Sequence, residues 1–353
     1  MRYKYKESDE LKYIMEKRWD DINNEFPKNK GNIIDSFYYI EAYMNEHYHP
    51  NINIGAVLSD GNLLTDHGVE HVQMVIKNLY AILGERGVKK LNGYEIYILL
   101  LATHFHDVGN ITGRKDHEKK IDEIIERLGS SLPLDVPEKI MVSEIAVAHG
   151  GYVFENPVDR DTLRLLKSEN NCNGITIRPA LLASLLRLAD ELADDKTRAN
   201  RYFGKQGIIP DGNKIFHEYS SCLDSLVFKG NVIEFDLYIP QDKSKIKIPN
   251  ENGDYLYDEV IRRLKKCLVE LEYCKKYSEG FITITKLKIT VNIMRSDIKH
   301  KKLKSFSFDL HLSGYPQSDQ TQFQQLEFPD GNKLCAAIEL EEVPQNGEPV
   351  CCS

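Results

Sequence analysis

The chain has no C-x-x-C pair among its seven cysteines. That argues against a thiolate zinc site and fits reduced thiols in a cytosolic protein. No apolar run approaches the roughly 20 residues of a membrane span, and the opening MRYKYKESDE lacks the apolar stretch of a secretory leader. There is no glycine-rich G-x-x-x-x-G-K-[ST] phosphate loop and no internal repeat. Positive charge is in deficit: 46 Lys and Arg against 54 Asp and Glu give a formal net charge of -8. A wide nucleic-acid surface is therefore not expected, although a local basic pocket is compatible with the balance. At 353 residues the chain can form one large or two moderate domains with ample core. A soluble, cytoplasmic protein is expected.

What is present centres on Leu99-Leu100-Leu101-Ala102-Thr103-His104-Phe105-His106-Asp107-Val108-Gly109-Asn110. The run from about Tyr94 is apolar on every side, which predicts a helix inside the domain rather than on its surface. An imidazole and a carboxylate at its inner end need partners, since unpaired burial costs several kcal/mol. A hydrogen-bonded His-Asp pair is one solution. A divalent cation is another, because neutral imidazole and ionised carboxylate are both ordinary metal ligands.

Upstream, residues 8–48 read as two helices separated by Pro27 to Asn32, the second from Ile33 to Tyr48. His47 and His49, followed by Pro50, are expected at the surface. Asp60-Gly61-Asn62 signals a turn, after which Thr65 or Asp66 can cap a helix reaching Gly84. His67 and His71, four apart, fall on one face of it. Downstream, Arg114-Lys115 precede His117 and an amphipathic helix with Ile121, Ile124, Ile125 and Leu128 inward. Those basic residues are either solvated or available to phosphate oxygens. Pro133 to Pro137 breaks the chain. The helix from Glu138 then ends in an apolar run at His149-Gly150-Gly151.

Residues 156–178 are polar and read as an insertion or lid with Glu169 to Asn171 at its tip. The helix from Pro179 carries leucines on nearly every face, interrupted by Asp190. A buried aspartate needs a cation or full hydrogen bonding, and Arg187 or a metal would serve. Beyond Asp195 the texture changes. A hairpin turns at Lys229 to Asn231, a helix spans Tyr255 to Tyr277, and a strand alternates from Ile282 to Ile293. From Tyr315 onward the composition suggests a loosely ordered tail.

Six of the 11 histidines fall between positions 67 and 149. A histidine, then a His-Asp doublet, then a distant aspartate resembles the HD-domain superfamily of metal-dependent phosphohydrolases. The matching segments are His71-Val72-Gln73-Met74-Val75, His106-Asp107-Val108-Gly109 and Leu188-Ala189-Asp190-Glu191-Leu192. The resemblance covers roughly residues 60–200. It implies an HD-type all-helical core, and with the small α+β domain read from the hairpin, helix and strand beyond Asp195 the chain is expected to be mainly α. The expected divisions are a helical extension over 1–58, the core over 59–204, the α+β unit over 205–315 and the tail over 316–353.

The resemblance implies His71, His106, Asp107 and Asp190 as metal ligands. Two-metal branches add two histidines, here His117 and His149, with the doublet aspartate bridging and a hydroxide attacking phosphorus. The cofactor would be one or two divalent metals among Mn, Mg, Fe, Co and Ni. Asp66 to His71 is also similar to the Y-H-N-x-x-H segment of class I cyclic-nucleotide phosphodiesterases, although the tyrosine is absent. That similarity makes His67 the acid that protonates the leaving oxygen, alongside Asp107 in catalysis.

Arg114, Lys115 and Arg187 are the candidate phosphate contacts. The doublet continues as Val108-Gly109-Asn110-Ile111-Thr112, not as the H-D-I-G-H-x-P of dNTP triphosphohydrolases. The implied substrate is a nucleotide or other phosphorylated molecule, with no membrane and no duplex. The alternative is a nucleotide-sensing module with little turnover, acting through a protein partner or a second copy held by the C-terminal α+β unit. A related helical scaffold also carries iron-dependent oxygenases.

Overall fold

A computed structural model describes residues 10–21, 23–60, 67–113, 116–153, 158–194, 211–242, 255–295, 301–315 and 320–342. Its centre is the doublet helix. This helix, α5 below, spans Gly93–Phe105, and every one of its 13 residues is buried. Asn92 starts it through a capping box with Glu95, which satisfies two of the otherwise unpaired N–H groups of the first turn. Within it the Thr103 hydroxyl donates back to the Leu99 carbonyl oxygen, and the Tyr94 hydroxyl donates to the Glu138 carboxylate.

Helices α1 (Glu10–Asp21), α2 (Ile33–His47), α3 (His49–Asp60) and α4 (Val69–Val88) precede this central helix. Helices α6 (Ile121–Leu128), α7 (Val136–Val147) and α8 (Pro179–Glu191) follow it. α1 is fastened by Arg18, which donates to the Val88 carbonyl oxygen at 3.0 Å and also meets Leu91 and Glu25. α8 is buried along nearly its whole length, from Pro179 to Ala189. α4 is tied to the end of α8 by Asn78, whose amide donates to the Ala189 carbonyl oxygen at 3.1 Å.

Several boundaries differ from expectation. α3 was not anticipated, because Pro50 reads as a stop; it sits instead in the first turn, where its missing N–H costs nothing. His49 is consequently not a surface histidine but is 1% exposed. The cap expected at Thr65 or Asp66 lies outside the described residues. α4 starts after Gly68, and Gly84, at φ 59, kinks it rather than ending it. Pro137 likewise lies in the first turn of α7, capped by Asp135 and Glu138. Within the expected lid, Asn170–Cys172 (β1) and Ile175–Ile177 (β2) pair antiparallel, with Cys172 and Ile177 buried. The tip is Asn173-Gly174, both at positive φ.

After α9 (Asp211–Cys222) comes a four-stranded sheet ordered β3-β4-β5-β6, made of Leu223–Lys229, Val232–Pro240, Lys286–Met294 and Lys302–His311. β4 and β5 are parallel, which requires a crossover, and α10 (Leu256–Tyr277) supplies it. Ile233, Phe235, Leu237 and Ile239 stand opposite Leu287, Ile289, Val291 and Ile293, one apolar face of the sheet. The supposed loose tail is partly folded. Helix α11 (Gly331–Glu342) and the turn before it bury Phe323, Phe328, Leu334 and Ile338, and the Phe328 carbonyl oxygen accepts from the Tyr257 hydroxyl. Phenylalanines and leucines spaced through a polar composition were enough to anchor it. The protein is thus mainly α, with a helical core followed by an α+β unit. Among the described residues no helix is long and apolar enough to cross a membrane.

Candidate metal centre

Three helices deliver side chains to one place from their C-terminal ends. His106 caps α5 with Asp107 beside it, His149 follows the end of α7, and Asp190 is the next-to-last residue of α8. Helix C-termini carry partial negative charge, which favours a cation nearby. His71 comes from the first turn of α4, and His117 opens a one-turn 3-10 helix, His117–Lys120.

The imidazoles are oriented from behind. His106 Nδ1–H donates to the Thr103 carbonyl oxygen at 2.7 Å. His149 Nδ1–H donates to that of Ala146 at 2.6 Å. Both acceptors belong to the last turn of the helix that the histidine ends, where carbonyls lack intrahelical partners. His117 Nδ1 instead meets the Glu118 carboxylate at 2.8 Å. Each ring therefore turns Nε2 inward, the arrangement by which outer partners fix a metal-binding tautomer. His71 also presents Nε2, while its Nδ1 is buried without a hydrogen-bond partner.

Asp107 joins the two halves. Its Oδ2 lies 2.8 Å from His67 Nδ1, 3.2 Å from His106 Nε2 and 3.3 Å from His71 Nε2. Its Oδ1 lies 3.4 Å from His117 Nε2 and 3.8 Å from His149 Nε2, and accepts from the Asn110 amide at 2.7 Å. Asp190 Oδ1 is 3.1 Å from His71 Nε2 and 3.6 Å from His106 Nε2. Two sets of donor atoms result, each within 4.8 Å: His71, His106, Asp107 and Asp190, then Asp107, His117 and His149. His67 belongs to neither set.

The electrostatics of these sets suit cations. Burial opposes protonation of His106, but Asp107 and Asp190 outweigh it and raise its pKa to about 10. Burial likewise opposes ionisation of Asp107, yet His106 and His67 hold its carboxyl well below the usual range. His149 is pushed down to about 4, by burial first and by His106 next. Two imidazole nitrogens, those of His71 and His106, face each other at 3.3 Å. Such a pair needs a shared proton or a shared cation. Nitrogen and carboxylate donors of this kind fit a borderline or hard divalent ion. Asp190, with a side chain 26% exposed, lies on the open side.

The structure thus brings together His67, His71, His106, Asp107, His117, His149 and Asp190. Arg114 and Lys115 lie outside the described residues. Arg187 departs from its reading as the partner of Asp190, and the groups that could have met a phosphate are engaged by other residues. Its guanidinium donates to both Glu270 oxygens, at 2.7 and 2.9 Å, and lies over the Tyr273 ring. The physical reason is α10, which docks along α8 and offers a buried carboxylate that composition alone did not pair with Arg187. Sequence reasoning also missed Asn110 and Glu118. Both were findable: Asn110 stands three residues after Asp107, and Glu118 is an acid adjoining a histidine in a buried region.

A helical core whose helix ends gather a His-Asp doublet, further histidines and a distant aspartate is an HD-type domain. A family model described as HD-CE matches residues 61–266, more than half of the chain. The protein belongs to the HD-CE family. The match runs past the end expected for the core, at 204, and into α10. No curated protein and no solved structure matches the chain.

Proposed function

We propose that the protein is a metal-dependent phosphohydrolase acting on a nucleotide phosphoester or phosphoanhydride. The observation that carries this reading is the division of Asp107, with one oxygen turned to His71 and His106 and the other to His117 and His149. His71, His106, Asp107 and Asp190 would hold one cation, and Asp107, His117 and His149 a second. Divalent cations so held lower the pKa of bound water toward 7 and offset charge on a transferred phosphoryl group.

The chain's own residues do the rest. Asp107 and Asp190 would supply the negative charge that offsets repulsion between two bound cations. The backbone carbonyls of Thr103 and Ala146 fix the His106 and His149 rings so that no reorganisation accompanies the reaction. His67, against Asp107 but outside both donor sets, delivers a proton to the leaving oxygen.

The test is a release screen for phosphate and nucleotide across dNTPs, NTPs, cyclic nucleotides and short oligonucleotides. Mn²⁺, Mg²⁺, Fe²⁺, Co²⁺ and Ni²⁺ are supplied separately, with metal content measured in parallel. Two equivalents bound and metal-dependent turnover of one substrate class support the reading. Two equivalents bound with tight nucleotide binding and no turnover would instead favour a sensing module.

A further inference from the structure

The histidines of the second donor set are not supported alike. His149 is held by a carbonyl of its own helix, whereas His117 opens a single 3-10 turn and its Nδ1 meets a side chain. The residue before it, Asp116, is left-handed at φ 53, so the chain reverses sharply to present His117. Glu118 stands behind His117 as the Ala146 carbonyl stands behind His149. Its Oε2 lies 2.8 Å from His117 Nδ1, and the two residues are 8% and 7% exposed. The other carboxylate oxygen packs closely against the turn after His149. Gly151 sits at φ +76, and a Cβ there would overlap Glu118 Oε1. One carboxylate thus bonds to the His117 ring and packs against the turn that follows His149.

We infer that Glu118 is a positioning residue that sets the affinity of the second cation position, built from Asp107, His117 and His149. The inference rests on the two-cation reading above. Two effects act in one direction. An anionic acceptor on Nδ1 fixes the tautomer and makes Nε2 a stronger donor, and loss of such an outer partner typically weakens a metal site about 10–100-fold. Charge adds to this. Asp107 and Asp190 supply two negative charges against the four positive charges of two divalent ions, and Glu118 supplies a third close to the second ion.

The experiment titrates the metal-free full-length protein with Mn²⁺ by calorimetry, for wild type, Glu118→Gln and Glu118→Ala. Manganese EPR reports whether the ions occupy neighbouring positions. Wild type should bind two equivalents. Glu118→Ala should keep the first at wild-type affinity and weaken the second about 10–100-fold, with loss of the spin-coupled signal. Glu118→Gln keeps a hydrogen-bond acceptor without the charge and should fall between. The melting temperature of the metal-free protein should stay close to wild type for Glu118→Gln.

Two equally tight equivalents in Glu118→Ala would overturn the assignment to Glu118 while leaving two cations intact. Equal weakening of both equivalents in Glu118→Gln, with a lowered metal-free melting temperature, would make the residue merely structural and overturn it as well. A single equivalent in wild type would overturn the two-cation reading itself, and this inference with it.

Discussion

The backbone of His117 crosses so close over Gly109 that a Cβ on the glycine would overlap the His117 carbonyl oxygen. Gly109 is two residues past Asp107, so this contact lets a short loop return and set His117 Nε2 3.4 Å from Asp107 Oδ1. The obstacle is backbone rather than the flexible end of a side chain, so it cannot swing away. Gly109→Ala should cost about 1–3 kcal/mol, as overpacking of a tight site does, and should lose the second metal equivalent. Gly150, by contrast, has open space where a Cβ would go. Gly150→Ala should match wild type in both denaturant midpoint and metal content. Full metal content in Gly109→Ala would mean that this close approach does not build the second position.

Asp107 belongs to both donor sets, whereas Asp190 belongs to one. Asp107→Asn should therefore empty both positions and lower turnover by at least about 10³-fold, equivalent to about 4 kcal/mol of barrier. Asp190→Asn should empty only the first. Circular dichroism should show both variants folded, because the cluster lies at helix ends and the leucine-rich core is untouched. Undiminished metal in purified Asp107→Asn, measured by elemental analysis, would place the metal elsewhere.

The convergence of His71, His106, Asp107, His117, His149 and Asp190 is legible in the sequence on two grounds. His106-Asp107, His149 and Asp190 each interrupt or end an apolar run, where buried polar groups must meet one another or a cation. His71 and His117 are legible only through the resemblance to the HD pattern. α5 and α10 are legible through their apolar patterns, and the β3–β4 hairpin through its Gly230-Asn231 turn. What escapes is whatever depends on contacts distant in sequence. Arg187 is paired with Glu270, 83 positions away, and no local pattern announces it. α3 escapes because Pro50 signals a boundary equally well as a stop or as a first turn. The folded segment 320–342 escapes because a few apolar side chains anchor a stretch whose average composition is polar.

His49 gives a pH dependence from outside the donor sets. Its Nε2–H donates to the His104 carbonyl oxygen at 3.0 Å, its Nδ1 meets the Asn45 side chain, and its ring stacks on His104 at 5.4 Å. Burial first, and the neighbouring His104 next, push its pKa down to about 3. In the unfolded chain the value returns to about 6.5. Between those values the unfolded state binds a proton that the folded state refuses, so stability falls as pH drops from about 6.5 toward 3. His49→Gln should be less stable than wild type at pH 7.5. The gap should narrow by more than about 1 kcal/mol on going to pH 5, where the variant escapes the penalty. Urea titrations at the two pH values measure it. A gap of constant size would show that His49 is not held neutral.

The Arg187–Glu270 pair fastens α8 to α10, with the Tyr273 hydroxyl accepting from the Leu163 backbone N–H and Arg187 Nη1 donating to the Thr162 hydroxyl. The partners' side chains are only 7% and 13% exposed, so removing one leaves a charge buried alone. Glu270→Ala and Arg187→Ala should each cost about 3–5 kcal/mol. Replacing both, as Arg187→Met with Glu270→Leu, should cost much less, because no uncompensated charge remains. Denaturant unfolding of the four proteins forms the test. Additive losses in the double variant would show that the pair does not act as a unit.

His67 separates acid from ligand. Its Nδ1 is 2.8 Å from Asp107 Oδ2 and its backbone N–H donates to the Asn53 side chain, so the ring is held beside the donor sets without joining either. A histidine so placed can carry a proton to a leaving oxygen, and loss of a general acid typically lowers rate about 10²–10⁴-fold. His67→Ala should therefore keep both metal equivalents and lose kcat by that range on the natural leaving group. A substrate whose leaving group is a weak base needs no proton, and on it the variant should recover most of the lost rate. A structural defect would slow both substrates equally, so the ratio between them isolates the proton transfer. If metal disappears along with activity, His67 is a ligand, and the acid must be sought among other residues.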